Sequence, residues 1–365
     1  MRTFRTFVLA GVVVLGGCKL ERACSDCSGG MSDFPPMPYG NPPGASAAAR
    51  ATAAALGRGV NFGNMLEAPH EGDWGLKVTP EFIDSAAAVG FKSVRLPVRW
   101  SNHALVASPF TIDPDFLVHV DSIVDRLLGK GVYVVLNMHH YRQLDGDARD
   151  SGELPVDETV LNERFLRIWV QIAEHFRTKN DHLVFELYNE PHGNLDAATW
   201  NDLAARALGA VRRSNPNRIV VIGPVSWNSA GGLASLLLPN DANLIVTVHN
   251  YDPFSFTHQG ADWVSPVPPT GVTCCTTTQV AALTAPLETA RAWSAVHNYP
   301  IFLGEFGAYE AGDMASRAHF TRSMRDAAES RGITWTYWEF AAGFGVYDPV
   351  AHAFRPALRD ALLGN

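Results

Sequence analysis

From Gly57 onward, short apolar runs rich in β-branched residues alternate with longer stretches in which apolar positions recur every three or four residues. Eight short runs stand out, at 59–62, 93–96, 132–137, 183–187, 219–222, 244–248, 301–303 and 334–337. Several are apolar throughout, as strands covered on both faces are. The longer stretches carry helix signals. Thr79, Pro80 and Glu81 supply an N-cap, an N1 proline and a first-turn acid to a helix that closes at Gly90. Residues 114–130 align Phe116, Val120, Ile123, Val124, Leu127 and Leu128, and residues 160–176 align Leu161, Phe165, Ile168, Trp169 and Ile172. Eight strand–helix units predict an α/β fold, a (β/α)8 TIM barrel forming one large domain over 50–365. The absence of a Gly-x-Gly-x-x-Gly after the first strand argues against a dinucleotide-binding sheet.

Ahead of the barrel, Arg2 and Arg5 precede an apolar run over residues 7–15, the form of an export signal and too short to span a bilayer. The run ends in Leu15-Gly16-Gly17-Cys18, which resembles a bacterial lipobox, where the cysteine is lipidated and becomes the new N-terminus. This predicts a lipoprotein-type signal over 1–18 with Cys18 as the anchor and a product held at the cell surface or outer membrane. An ordinary signal peptide with an incidental cysteine would instead give a secreted one. Residues 19–49 are rich in Pro, Gly, Ser and Ala without a hydrophobic period, which predicts a disordered tether. Cys24-x-x-Cys27 has no second ligand pair and reads as a disulfide of an oxidising compartment. Adjacent Cys274 and Cys275 are expected either to bridge or to stay reduced, in neither case with a catalytic role.

Charge narrows the partners. A net charge of −8 with no Lys/Arg cluster excludes binding that runs along a phosphate backbone, so no nucleic-acid partner is expected. Nine Trp among 365 residues are more than a core requires and leave aromatic surface for sugar faces. The strands are followed, in order, by Asn61 with Asn64 and Glu67; Arg95; His139 and His140; Asn189 and Glu190; Trp227; His249 with Tyr251; Glu305; and Trp338 with Glu339. In a (β/α)8 barrel these ends share one mouth.

Two carboxylates at the fourth and seventh strand ends, Glu190 and Glu305, are what acetal cleavage needs, since one must protonate the leaving oxygen while the other attacks or activates water. Asn189 can hydrogen-bond a sugar 2-hydroxyl, and an acid/base at Glu190 requires a raised pKa from apolar cover and a nearby anion. Arg95 and the Tyr251 hydroxyl are expected to keep Glu305 ionised, with His139 and His249 as donors around the pair. Glu186, on the same strand as Glu190, faces the barrel interior and reads as a buried, hydrogen-bonded acid. The His139-His140 pair lacks a companion ligand set, so no metal is expected. His119 and His175 fall on helix surfaces, and Trp169, Trp200 and Trp293 belong to helix cores. Trp74, Trp100, Trp227, Trp263 and Trp338 fall in rim loops, where stacking on sugars is their expected use.

These residues occur in the segments Arg58-Gly-Val-Asn-Phe-Gly-Asn64, Val94-Arg-Leu-Pro97, Leu136-Asn-Met-His-His140, Phe185-Glu-Leu-Tyr-Asn-Glu-Pro191, Val248-His-Asn-Tyr251, Gly304-Glu-Phe-Gly307 and Tyr337-Trp-Glu339. Together and in this order the segments resemble glycoside hydrolase family 5, the cellulase group. The resemblance implies that Glu190 is the acid/base and Glu305 the nucleophile of a retaining reaction, with Arg95, His139, His140, Asn189, His249, Tyr251, Trp338 and Glu339 around them. Asn64, Glu67, His258 and Trp263 lie in segments similar to those of bacterial endo-β-1,4-glucanases and would contact sugar. Asn250 stands where an aromatic is frequent. The implied protein is a monomeric endo-β-1,4-glucanase acting on a β-1,4-linked polysaccharide, without metal or organic cofactor, and touching a membrane only through a lipid anchor. The alternative is a β-mannanase or dual enzyme, because an axial 2-hydroxyl alters few contacts near Asn189 and His249. A non-catalytic carbohydrate-binding surface protein is a third reading, against which the presence of both glutamates argues.

Overall fold

Eight parallel strands close on themselves in chain order: β1 (Arg58–Asn61), β2 (Ser93–Leu96), β3 (Tyr133–Asn137), β4 (Leu183–Glu186), β5 (Val220–Ile222), β6 (Leu244–His249), β7 (Ile301–Glu305) and β8 (Thr334–Tyr337). β8 pairs back onto β1 through Arg58↔Trp335 and Gly59↔Thr336. The structure, a computed structural model, describes residues 30–364, so the signal segment, Cys18 and the Cys24/Cys27 pair lie outside it. The helices are α1 (Ala47–Leu56), α2 (Pro80–Val89), α3 (Pro114–Gly129), α4 (Arg142–Asp145), α5 (Leu161–His175), α6 (Ala197–Arg212), α7 (Phe254–Thr257), α8 (Thr277–His297), α9 (Met314–Glu329) and α10 (Pro356–Leu363). Among the described residues no helix is long and apolar enough to cross a membrane. The link from β5 to β6 holds only a 3-10 turn, Ala230–Ser235, where the pair Gly231-Gly232 disfavours a longer helix. The strands match the sequence reading to within two residues, and β6 and β7 run far enough to carry His249 and Glu305 as their last residues.

Alternation along the strands divides the barrel interior into two halves. Near the N-terminal strand ends, Val135, Val184, Val221, Ile245 and Phe302 pack on Ala49, Ala53 and Leu56 of α1, which plugs the bottom. Two residues further along the strands the interior turns polar, with Asn137, Glu186 and Thr247 joining Asn61, Arg95 and Thr336, all fully buried. Small alanines let α1 approach closely, and its first turn is capped by Ser46, whose hydroxyl accepts from the Ala49 N–H.

Residues 30–49, expected as part of a disordered tether, are instead ordered: 47–49 open α1, and the stretch over 30–44 is laid on the barrel wall. Phe34 is buried between the guanidinium groups of Arg167 and Arg213, 4.9 and 4.7 Å from its ring. Arg167 also pairs with Asp33 at 2.6 Å, and Arg206 donates to the Phe34 carbonyl at 2.6 Å. The Met37 and Gly40 N–H groups donate to Ala205 and Leu238. Such an extended strap draws its order from partners far along the chain, so its own sequence needs no period. Cys274 and Cys275 are joined by a disulfide at the foot of α8, the first of the two expected states.

Candidate active site

Arg95 organises the polar half of the barrel. It is fully buried, with Nε and Nη2 on the two oxygens of Glu186 at 2.7 and 2.8 Å, Nη1 on Asn61 and Glu305 at 2.9 and 2.6 Å, and Nη2 also on Asn189 at 2.7 Å. Burial works against its charge, but Glu186 and Glu305 outweigh it and hold the guanidinium protonated. Both Glu186 oxygens are thereby used, as expected of a buried, hydrogen-bonded acid.

Glu305, at the tip of β7, receives Arg95 on Oε1 and the Tyr251 hydroxyl on Oε2 at 2.8 Å. Burial raises its pKa above the ordinary carboxyl range. His249, Arg95 and the Tyr251 hydroxyl work against that rise, and Glu190 adds to it. Glu190 receives no guanidinium from the described residues and bonds the Nδ1 of His249 at 2.7 Å. Burial pushes its carboxyl up to about 7, with Arg95 and His192 opposing and Glu186 assisting. His249 is itself pushed down to about 4 by burial, so it is neutral at neutral pH. Its ring lies against β7 because residue 304 is glycine, where a Cβ would fall 2.8 Å from Nε2 and 2.6 Å from the Thr247 hydroxyl. One carboxylate oxygen of Glu190, one of Glu305 and a ring nitrogen of His249 lie within 4.8 Å of one another.

These side chains stand on the floor of an open cleft of about 1800 Å³ that runs from Trp74 and Leu76 to Trp263 and Tyr309. Glu190, Asn64 and His140 all take left-handed φ values, 52°, 62° and 53°, as do three consecutive residues, Ser226–Asn228. Non-glycine residues adopt that region at a cost and keep it only where the surroundings enforce it. No sequence pattern announces it.

Residues 55–343 match the family model described as Cellulase (glycosyl hydrolase family 5). This chain belongs to glycosyl hydrolase family 5. It is 37% identical to Endoglucanase H of Acetivibrio thermocellus over 284 residues, which cover 78% of this chain and 29% of that protein. It is 29% identical over 318 residues to the cellulase/esterase CelE of the same organism, covering 36% of it. The chain thus spans about a third of these curated relatives. The solved structure of Thermotoga maritima Cel5A with cellobiose superposes with a TM-score of 0.81 at 39% identity, covering 86% of this chain and 99% of that one.

Within this family 5 barrel, the expected site residues fall into three groups. Asn64, His139, His140, Glu190, His249, Tyr251, His258, Trp263, Glu305 and Trp338 all line the cleft, as do Trp74 and Trp227. His139 is buried and stacks on Trp338 with ring centroids 5.7 Å apart, and burial pushes its pKa far down. His139 and His140 join no cluster of three potential metal ligands among the described residues. Arg95 and Asn189 stand beneath the carboxylates.

Three residues expected at the rim turn inward instead. Glu67 is fully buried and accepts the N–H groups of Asn64 and of Met65, the latter at 3.0 Å. Glu339 is also buried and accepts from Ala341 and Ala342 at 2.8 Å and from Phe344 at 3.2 Å. Burial pushes these carboxyls up to about 8 and about 7. Both satisfy the N–H groups of tight rim loops instead of reaching sugar. Trp100 is fully buried against Phe116 with its Nε1–H on the Asn137 carbonyl, so it is core and not rim.

Asn250 fills the position of the frequent aromatic by tying β6 to α8, donating to the Leu283 carbonyl at 2.8 Å. Tyr309 and Phe344 also line the cleft, and His192 stands behind Glu190. Only His192 carried a signal, its place two residues after Glu190.

Proposed function

We propose that this chain is an exported endo-β-1,4-glucanase that cleaves β-1,4-glucan with retention, Glu305 acting as nucleophile and Glu190 as acid/base. The observation that carries the reading is the contrast between two carboxylates whose oxygens approach within 4.8 Å: one gripped by a guanidinium and a phenol, the other held by a neutral imidazole and pushed up to about 7. So close an approach of the two oxygens supports the retaining arrangement, in which the carboxyl groups stand too near each other for an intervening water and one of them attacks the sugar directly. Glu305 attacks the anomeric carbon while Glu190 donates its proton to the departing glycosidic oxygen. Glu190, now a carboxylate, takes a proton from water as that water displaces Glu305, and the starting protonation returns. Arg95 and Tyr251 compensate the charge on Glu305 before attack. Asn189, held by Arg95, is positioned for the sugar 2-hydroxyl.

An open cleft with Trp74, Trp227, Trp263 and Trp338 along it supports binding within a chain instead of at its end. The glucan assignment is supported by relatives named as endoglucanases. The Leu15-Gly16-Gly17-Cys18 ending supports export with Cys18 as a lipid anchor ahead of the barrel domain. C18S should then move the protein out of the membrane fraction.

Proton NMR of the first product released from a cello-oligosaccharide tests the central reading, with β-anomer expected first. Glu305→Ala should lower turnover by about 10⁴-fold or more, and azide should restore it with inverted product. The α-anomer appearing first from the unaltered enzyme would overturn the nucleophile assignment. Comparing carboxymethylcellulose with mannan tests the polymer.

A further inference from the structure

Two residues beyond Glu190, outside the reacting pair, His192 touches almost everything that could control it. Its Nδ1 lies 2.6 Å from the Glu190 carbonyl oxygen, an acceptor only, so this nitrogen carries the proton and donates. Its Nε2 lies 3.3 Å from Asp147. Asp145 approaches to 3.8 Å, and its Oδ1 is buried without a hydrogen bond among the described residues. One face of the ring stacks on Trp227, centroids 4.8 Å apart at 20°. The loop can sit this tightly because residue 193 is glycine at φ 57°, where a Cβ would strike the Asp145 carbonyl oxygen at 2.1 Å.

From the end of α4 come Asp145 and Asp147, with Arg142 paired to Asp147 at 3.2 Å. Tyr188, on the stretch leading from β4, donates to Asp145 at 2.5 Å, and His140 faces the group electrostatically from the end of β3. The β5 side presents the uncharged indole of Trp227. Burial opposes a charge on His192, but Asp145, the Glu190 carbonyl and Asp147 outweigh it, so its pKa is raised and the imidazolium is favoured. The Glu190 main chain is held at its other end too. The Asn228 amide satisfies both its neighbours when its oxygen accepts from the Glu190 N–H at 3.3 Å and its nitrogen donates to the Pro224 carbonyl at 2.9 Å.

We propose that His192 is a positioning residue for the acid/base: its Nδ1–H fixes the left-handed main chain of Glu190, and its positive charge, held by Asp145 and Asp147, tunes the carboxyl from behind. The inference rests on Glu190 being the acid/base. A neutral residue in place of His192 removes one of the two cations that favour the Glu190 carboxylate, so the acid should hold its proton to higher pH. A displaced main chain should harm only the step in which that proton is needed.

The test compares kcat/KM, which reports glycosylation, on β-1,4-glucan and on a dinitrophenyl β-cellobioside whose leaving group needs no proton. H192A should lose about 10- to 100-fold on the glucan, the cost of misplacing a catalytic group, and much less on the aryl glycoside. H192N puts an amide donor where Nδ1 stood but carries no charge. It should recover most of the rate while its alkaline limb stays up to about one pH unit above that of the unaltered enzyme. Thermal unfolding of both variants checks the fold, and H192N carries the test if H192A does not fold. Equal losses on both substrates, or an alkaline limb unmoved in H192N, would overturn the proposal. E190A run in parallel separates the two readings. If it too loses equally on both substrates, Glu190 is not the acid, whereas leaving-group dependence in E190A without it in the His192 variants sinks the positioning role alone.

Discussion

The two halves of the barrel interior differ in what they are made of and in what that material costs. The lower half is Val135, Val184, Val221, Ile245 and Phe302 closed by Leu56 and two alanines of α1, groups that need only be removed from water. The upper half, one side-chain layer away, buries Arg95 with Glu186 and Glu305, three charges whose desolvation costs several kcal/mol each before pairing offsets it. A fold seeking stability alone would continue the apolar layers upward. The polar layer is therefore the part of the interior shaped by chemistry, and the apolar plug below it helps to carry the cost.

The largest effect should come from breaking the polar layer at its centre. Arg95→Met leaves Glu186 and Glu305 side by side without their shared cation. We expect a loss of about 3 to 5 kcal/mol in denaturant unfolding together with at least about a 10²-fold fall in kcat. R95K should recover part of the stability but less of the rate, since an ammonium cannot reproduce the fork that reaches Glu186, Asn61, Glu305 and Asn189 together. Leu56→Ala, in the apolar plug, should cost about 2 to 5 kcal/mol with kcat per folded molecule unchanged. If L56A lowered kcat while fully folded, the division of the interior into a stabilising and a reacting half would fail.

That division also explains what could be read from the sequence. Strands β1 to β8 were legible because apolar runs buried on both faces have few other uses, and the residue after each run falls at the mouth by topology alone. Position at the mouth does not say which way a side chain turns. Glu67 and Glu339 sit in rim loops like Glu190, yet they turn inward to meet N–H groups, a choice set by loop geometry that no spacing encodes. Trp100 turned inward for the same reason. Residues 30–44 escaped because an extended strap needs only isolated anchors such as Phe34, and His192 because its partners Asp145, Asp147 and Trp227 come from three separate parts of the chain.

A subtler effect separates the halves by pH. The residues of the apolar layer carry no ionisable group, so pH dependence of catalysis must come from above. Glu305 has to be ionised, and burial raises its pKa, so activity is lost as pH falls through a value above the ordinary 4.5. Glu190 has to be protonated, so activity is lost as pH rises through about 7. A bell-shaped kcat/KM profile with a mildly acidic maximum is expected. L56A should leave both limbs in place, and a profile still rising above pH 8 would contradict the acid assignment.

The smallest expected effect lies at the outer edge of the mouth, where the polar layer gives way to an aromatic wall. Trp263 is 57% exposed and held edge-on to Tyr309 at 4.8 Å, with His258 and Phe344 behind it. It bonds neither carboxylate, so a sugar stacked on it would be held alike before and during bond breaking. Interactions of that kind lower KM without raising kcat. Trp263→Ala should therefore raise KM on polymeric glucan by about five- to tenfold with kcat within about twofold, and W263F should fall between. On a short aryl glycoside that does not reach this wall, the same change should go unnoticed. A fall in kcat at constant KM would mean that the wall is coupled to Glu305 and that the reacting half extends further out than the Arg95 layer marks.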